Sequence, residues 1–442
     1  MDNLGKLFFC IAFISLSGLG QSQSIESPYE VGTWQGFRSA AVTYTFDDNC
    51  PNQLLIAVPM FDEFDFKLTL FTVTNPSWGW PANWIGLQSA ASEGHEIASH
   101  TVTHNSFSGM VDSLQENELK NSQDVINSHI TGEQCVTIAY PYCNTGNNNL
   151  VRQYYFASRG CSGSTESKTP GNFMNISSIV CGSEGSIKTS ANFKSRVDNA
   201  TSTNGWVVYL FHGINGTEPG AYSPISEDTI RASLEYLKAN PDKFWVYTFG
   251  GVAKYIRERN AASVSQISET EDSIEVSVTD TLDNSYYNCP ITIRRPLPEG
   301  WASAVATQNG ITLTSKVVEV NSVKHIMFDV VPDGGDILLT KSDATGVSNE
   351  SKSFLQTPYL KQNYPNPFNP ITQIEYSVTK SGYVSLKVFN LLGKEIAKLY
   401  EGIQLEGDYI VSLDGSALTS GVYFYSLQTN NFVDTKKLIL LK

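Results

Sequence analysis

At 442 residues the chain is too long for one ordinary domain, and at about 150 residues per domain two or three are expected. A formal charge of −14 at pH 7 argues against nucleic acid and anionic membrane surfaces as partners, since both need a basic footprint, and favours neutral or cationic substrates. Residues 1–22 have the layout of a secretory signal peptide: Lys6, an apolar run from Leu7 to Leu19 too short to span a bilayer, then small or polar residues. After its removal no transmembrane segment is expected. Cys50, Cys135, Cys143, Cys161, Cys181 and Cys289 then form an even set bound for an oxidising compartment, where disulfides are expected in any of about 15 pairings.

Ala40 to Phe46 alternates and then fills with β-branched and aromatic residues, which predicts a buried strand ending at Asp47-Asp48. Pro51 opens a predicted helix through Phe61. A strand over Lys67 to Val73 follows, then an aromatic loop whose Trp78, Trp80 and Trp84 are expected in packing rather than in a sugar-stacking platform. Leu87 to Glu93 ends a helix at Gly94, and the short strand His95 to Ala98 delivers His100 and His104 to the same kind of strand end. A polar helix over Asp112 to Ser128 leads to a strand over Cys135 to Tyr140 and to Pro141-Tyr142. Asn147 to Tyr155 reads as helix, and Phe156 to Arg159 and Met174 to Val180 read as strands. The strongly apolar strand Trp206 to Phe211 ends at His212-Gly213. Glu227 to Ala239 is an amphipathic helix, and Trp245 to Phe249 and Val252 to Arg259 close the region as strand and helix. Strand–helix alternation over about 220 residues predicts an α/β fold on a parallel sheet or barrel.

From about Ala262 the pattern is β alone. Strands expected at Ser273 to Val278, Pro290 to Arg294, Ile311 to Val320, His325 to Val330 and Asp336 to Thr340 suit a small β-sandwich. The expected organisation is therefore a signal peptide at 1–22, an α/β domain at 23–261, a small β-sandwich at 262–342, a linker at 343–358 and a separate β module at 359–442.

Two of the six histidines, His100 and His104, are four residues apart, a spacing that lets both imidazoles face one cation, although a turn can hold such a pair by chance. Asp47-Asp48 is either a solvated strand end with an Asx turn or a reactive pair, and His212-Gly213 taken alone reads best as a structural turn. In α/β sheets chemistry gathers at the carboxyl ends of strands, where all three groups are expected. His95, His129 and His325 are expected to be structural.

Thr45-Phe46-Asp47-Asp48, Ser99-His100-Thr101-Val102-Thr103-His104, Ala139-Tyr140-Pro141-Tyr142 and Leu210-Phe211-His212-Gly213 occur in the order of the motifs of the polysaccharide deacetylase (NodB-like, carbohydrate esterase family 4) proteins, which this region resembles over about residues 38–260. The resemblance implies a distorted (β/α) barrel, here followed by two small all-β, sandwich-like domains. It implies a secreted hydrolase that removes acetyl groups from a polysaccharide or oligosaccharide by metal-activated water. Asp48, His100 and His104 would hold a divalent cation, most simply Zn²⁺, with Asp47 as general base, the Tyr142 backbone N–H at the oxyanion, since Pro141 has none, and His212 as general acid. Three departures stand out. Ala139 occupies the place of an arginine that contacts the base, Cys143 follows the Pro-Tyr pair where glycine is usual, and no Asp-Trp segment supports His212.

The alternatives are an acetylxylan-type O-acetyl esterase of the same fold, because attack on an acetyl carbonyl serves amides and esters alike, and a catalytically silent surface glycan-binding protein. At the other end, Gln362-Asn363-Tyr364-Pro365-Asn366-Pro367-Phe368-Asn369-Pro370, Leu391-Leu392-Gly393-Lys394-Glu395 and Ser420-Gly421-Val422-Tyr423-Phe424 resemble the C-terminal sorting domain of the type IX secretion system. That likeness implies the secretion machinery as a partner and export through the outer membrane, ending in secreted or surface-attached protein.

Overall fold

The computed structural model describes residues 23–216, 218–342, 359–378, 382–390, 393–404, 407–429 and 432–441. The signal peptide and linker expected at 1–22 and 343–358 lie outside the described residues. Two short strands come first, β1 (Ser24–Ile25) and β2 (Glu30–Val31). The α/β region then supplies β3 (Ala40–Asp47), β4 (Thr69–Thr72), β5 (Glu96–Ser99), β6 (Thr137–Ala139), β7 (Ala157–Arg159), β8 (Ile179–Val180), β9 (Trp206–Phe211) and β10 (Phe244–Val246). These eight form one sheet in the order β7-β6-β5-β4-β3-β9-β8, with β10 also on β3, and every pairing is parallel.

All residues of β3 are buried, as a strand covered on both faces must be. Ala40, Val42, Tyr44 and Phe46 point into the core beneath the outer helices, where Tyr44, Phe193 and Phe211 stack with near-parallel rings. Ala41 belongs to the opposite face, and Thr43, Thr45 and Asp47 follow it there by the two-residue period. The segment 173–180 draws the sheet edges together: Ser158 N–H and Gly160 N–H donate to Phe173 and Ile176 carbonyls beside β7, and β8 then pairs with β9. The result is the curled, distorted (β/α) barrel expected.

The helices are α1 (Val58–Glu63), α2 (Trp84–Ser92), α3 (Asp112–His129), α4 (Asn148–Val151), α5 (Ser190–Thr201), α6 (Glu227–Lys238) and α7 (Phe249–Ala261). The helix expected over Asn147 to Tyr155 stops at Val151. The strand expected through Phe249 ends at Val246, because Thr248 caps α7 by accepting from Gly251 N–H. Sequence reading missed α5, whose signal is a capping box with Asn192 in place of the usual glutamate or glutamine opposite Thr189.

Beyond the barrel, Ser263–Glu269, Ser273–Thr279, Ile337–Ser342, Ser303–Gln308 and Ile311–Thr312 form one sheet with β1 at its edge, and Ser315–Val320, Val323–Val330 and Ile291–Pro296 form a second with β2 at its edge. The single strand expected over Ile311 to Val320 is thus two strands in different sheets. Helix α7 lies between this sandwich and the barrel, since Phe249, Val252, Ala253, Tyr255 and Ile256 share one apolar cluster with Trp206 and Val208 and with Val264, Ile293 and Phe328. The C-terminal module pairs Ile371–Val378 with Gly407–Asp414, and sets Glu395–Gln404, Gly382–Phe389, Gly421–Gln428 and Val433–Leu440 in a second sheet.

Glu258 of α7 is fully buried at this junction, accepting from Cys289 N–H at 3.2 Å. Burial first, then the neighbouring Asp280, pushes its carboxyl from an ordinary 4.5 up to about 9. A carboxyl raised in the folded state keeps its proton while the unfolded chain releases it, so stability falls as pH rises from about 4.5 towards 9. Glu258→Gln removes that titration. Its melting temperature, followed by circular dichroism, should match the parent near pH 5 and exceed it by several degrees near pH 9.

Candidate active site

The ends of β3 and β5 present the first cluster. Asp48, one residue past β3, and His104 both adopt left-handed backbone, with φ of 75° and 57°, and Thr101 between the histidines does so at 67°. Such strain persists in non-glycine residues only where the surroundings impose it. Here Glu118 of α3 supplies part of that support, its carboxylate accepting from Val102 N–H and Thr103 N–H at 2.8 Å each and from Thr103 Oγ1 at 2.6 Å. His104 N–H donates to Thr101 Oγ1 at 3.1 Å.

Asp48 Oδ1 lies 3.5 Å from His100 Nε2 and 3.2 Å from His104 Nε2. Donors on a tetrahedral cation with bonds near 2.1 Å sit about 3.4 Å apart, so these three atoms fit one such ion. Two further observations suit a cation there. Asp48 Oδ1 is buried with no hydrogen-bond partner among the described residues, and His100 Nδ1 faces the Ala139 carbonyl at 2.9 Å, an arrangement that leaves the Nε2 lone pair free. Among the described residues Asp48, His100 and His104 are the only group of three that could hold a metal. Burial pushes the Asp48 carboxyl up, but the imidazoles of His100 and His104 more than offset it and hold the group well below the usual carboxylate range.

Asp47 closes β3 and is 2% exposed. Arg159, the last residue of β7, grips it with two parallel hydrogen bonds, Nη1 to Oδ1 at 2.8 Å and Nη2 to Oδ2 at 2.6 Å, while Nη1 also donates to Thr45 Oγ1 at 2.9 Å. The guanidinium stands over the Phe71 ring at 5.0 Å. Burial opposes the ionised carboxyl, yet the Arg159 charge, with His100 beside it, keeps Asp47 below its ordinary range. Sequence reading placed Arg159 at a strand end but gave it no role, and found Ala139 where an arginine was wanted. The register resolves this: Ala139 and Arg159 are direct partners across β6 and β7. The required guanidinium comes from the neighbouring strand.

His212, just past β9, brings Nε2 to 3.9 Å from Asp48 Oδ2. Its Nδ1 is buried without a hydrogen-bond partner among the described residues, which agrees with the missing Asp-Trp segment, and its ring meets Tyr222 edge-on at 5.0 Å. Burial lowers its pKa despite the pull of Asp47 and Asp48. Gln53, unforeseen from sequence, ties the two strand ends together, donating from Nε2 to Asp47 O at 2.5 Å and to His212 O at 3.2 Å. It sits in a π-helical turn, Gln53–Ala57, an irregularity common at functional sites.

Tyr142, in the 3₁₀ turn after β6, is 67% exposed, with its ring 4.9 Å from that of His104. Trp78 also packs on His104, 4.7 Å between rings, and donates to the Asp48 carbonyl at 3.2 Å, so one tryptophan of the aromatic loop packs on the cluster itself. The remaining histidines stand apart from it. His95 bonds Leu68 N–H and Asp62, His129 stacks on Trp84, and His325 Nδ1 faces the Val323 carbonyl.

Arg159 and Asp47 are both buried, so removing one strands the other's charge. Arg159→Ala should cost about 3–5 kcal/mol of stability in urea denaturation, and Arg159→Ala combined with Asp47→Ala should cost less than Arg159→Ala alone.

Residues 36–155 match the family model for polysaccharide deacetylase, and residues 362–441 match that for a secretion system C-terminal sorting domain. A gellan lyase from Bacillus sp. is 27% identical over 335 residues, 72% of this chain, but the chain spans only 13% of that protein's length. Among solved structures, one assigned as a polysaccharide deacetylase from Mycobacterium smegmatis aligns at 19% identity and a TM-score of 0.40, covering 55% of this chain and 98% of its own. A family 4 acetyl xylan esterase from Clostridium thermocellum, in complex with a cobalt ion, aligns at 16% identity and a TM-score of 0.33, covering 48% and 89%. The sorting domain marks the protein for export, to the cell surface or beyond it. The chain thus carries a polysaccharide deacetylase domain matched over residues 36–155 and a secretion system C-terminal sorting domain over residues 362–441.

Proposed function

We propose that the barrel is a metal-dependent deacetylase acting on an acetylated polysaccharide or oligosaccharide. What carries this reading is the convergence, at adjacent strand ends, of a three-donor cluster with a buried, arginine-held carboxylate. Asp48, His100 and His104 would hold a divalent cation, Zn²⁺ being the simplest occupant of two imidazoles and one carboxylate. Bound there, such an ion supplies an acidified water and a polarised acetyl carbonyl.

The remaining roles belong to the chain's own groups. Asp47 accepts the proton of the attacking water. Arg159 uses one lone pair on each of its oxygens, which leaves a second on each for that proton, and keeps the carboxylate ionised and oriented. The Tyr142 backbone N–H donates to the oxyanion, Pro141 having no N–H to offer. His212 protonates the leaving group. A sugar amine needs that proton more than an alcohol does, and among the described residues His212 Nδ1 has no acceptor to orient it, so O-acetyl esters are the second reading. The polysaccharide deacetylase match over residues 36–155 supports the carbohydrate substrate, and the sorting domain supports the type IX machinery as the export partner. We divide the chain into domains at 23–261, 262–342 and 359–442, with β1 and β2 lent to the sheets of the second.

Incubating the purified protein with acetylated xylan, chitin oligomers and poly-N-acetylglucosamine should release acetate from at least one, and a chelator should stop it. Absence of acetate from all three would favour a silent glycan-binding protein instead. His100→Ala should lose bound metal and hydrolysis together, as read by elemental analysis and acetate assay. Asp47→Asn should keep the metal while turnover falls by about 10²–10⁴-fold, the usual contribution of a positioned base.

A further inference from the structure

The disulfide among the described residues joins Cys143 to Cys161, with Cα atoms 5.6 Å apart. Its ends sit beside two groups that the proposed chemistry uses: Cys143 follows Tyr142, and Cys161 lies two residues beyond Arg159. Tyr142 and Cys143 both adopt left-handed backbone, with φ of 54° and 60°, where a side chain crowds its own carbonyl and residues other than glycine are uncommon. The turn is closed by Cys143 N–H to Tyr140 O at 3.0 Å and Asn144 N–H to Pro141 O at 3.2 Å, and neither bond uses the Tyr142 N–H. With Tyr142 itself 67% exposed, core packing does little to hold the strained pair in place. On the other side, β7 is only three residues long, and Gly160 after it is tied to Ile176 O at 2.8 Å.

We infer that the Cys143–Cys161 disulfide positions a reacting group: it holds Tyr142-Cys143 in the left-handed turn that presents the Tyr142 N–H. The use of that N–H rests on the deacetylase reading above, whereas the hold on the turn does not. A cross-link that only stabilises the fold acts by restricting the unfolded chain. One that holds a left-handed turn acts in the folded state, and a residue unstrained in that turn can replace it. Glycine is that residue.

The test compares the full chain with its C143A/C161S and C143G/C161S variants. Both variants lose the same restraint on the unfolded chain and should melt below the parent, so the comparison between them rests on turnover and exchange rather than on melting. Only the first forces a side chain into the left-handed turn without the bond that holds it. In C143A/C161S kcat should fall about tenfold, about 1.4 kcal/mol of barrier, with KM within about twofold, and C143G/C161S should recover most of the loss. Amide hydrogen exchange of the 140–147 peptide, measured on the same samples, should be fast in the alanine variant and near the parent in the glycine variant. Equal kcat and equal exchange in all three proteins overturns the inference. Equal loss in the two variants overturns it too, since the cross-link rather than the turn would then be the requirement. If the parent releases no acetate from any substrate the deacetylase reading fails, and the exchange measurement still decides whether the disulfide holds the turn.

Discussion

A carboxylate buried to 2% exposure is sustained only by a partner that satisfies both of its oxygens, and Asp47 has one in the two parallel bonds from Arg159. The rest of the site depends on this pair. Arg159 reaches Asp47 of β3 from β7, with β6, β5 and β4 between them in the strand order, so the contact spans the curled interior rather than running between neighbouring strands. The guanidinium's further bond to Thr45 Oγ1, which itself donates to Tyr209 O at 2.8 Å, carries the connection to β9, the strand that ends at His212. A single cation therefore links three strand ends whose side chains must converge.

Around that pair the backbone is bent into unfavourable geometry at several positions of the site. Asp48, Thr101, His104, Tyr142 and Cys143 all have positive φ, and none is glycine. Several devices support them: Trp78 donates to the Asp48 carbonyl, Glu118 clamps the histidine loop, and the disulfide closes over Tyr142 and Cys143, while Gln53 joins the neighbouring Asp47 and His212 carbonyls. Strain gathered in this way, with its supports drawn from several elements, is typical of sites whose geometry matters more than local stability. The barrel supplies the stiffness behind it. Its central strands are buried on both faces, and α7 seals the interior face against the β-sandwich.

His212, like His104, has an Nδ1 that is buried with no hydrogen-bond partner among the described residues. Its ring is kept in place by Tyr222 and by the carbonyl bond through Gln53. A proton on this imidazole is favoured by Asp47 and Asp48 and opposed by burial, and burial prevails.

The fold class was legible in the sequence because strand–helix alternation and fully apolar strands have few other solutions, and the donor set Asp48, His100 and His104 was legible because strand ends and a four-residue spacing are local properties. The sorting module was legible for the same reason, its motifs being contiguous. Short strands that owe their existence to a neighbour, such as β1 and β2 in the sandwich sheets, left no such mark. Arg159, Gln53 and the pairing of Cys143 with Cys161 were decided by tertiary structure alone. Each acts across a distance in sequence or through a main-chain atom, so residue type and spacing could not single them out. The sequence by itself determined which groups stand at the strand ends. Only the curl of the sheet and the register of β6 on β7 decided that an arginine twenty residues beyond Ala139 completes the site there.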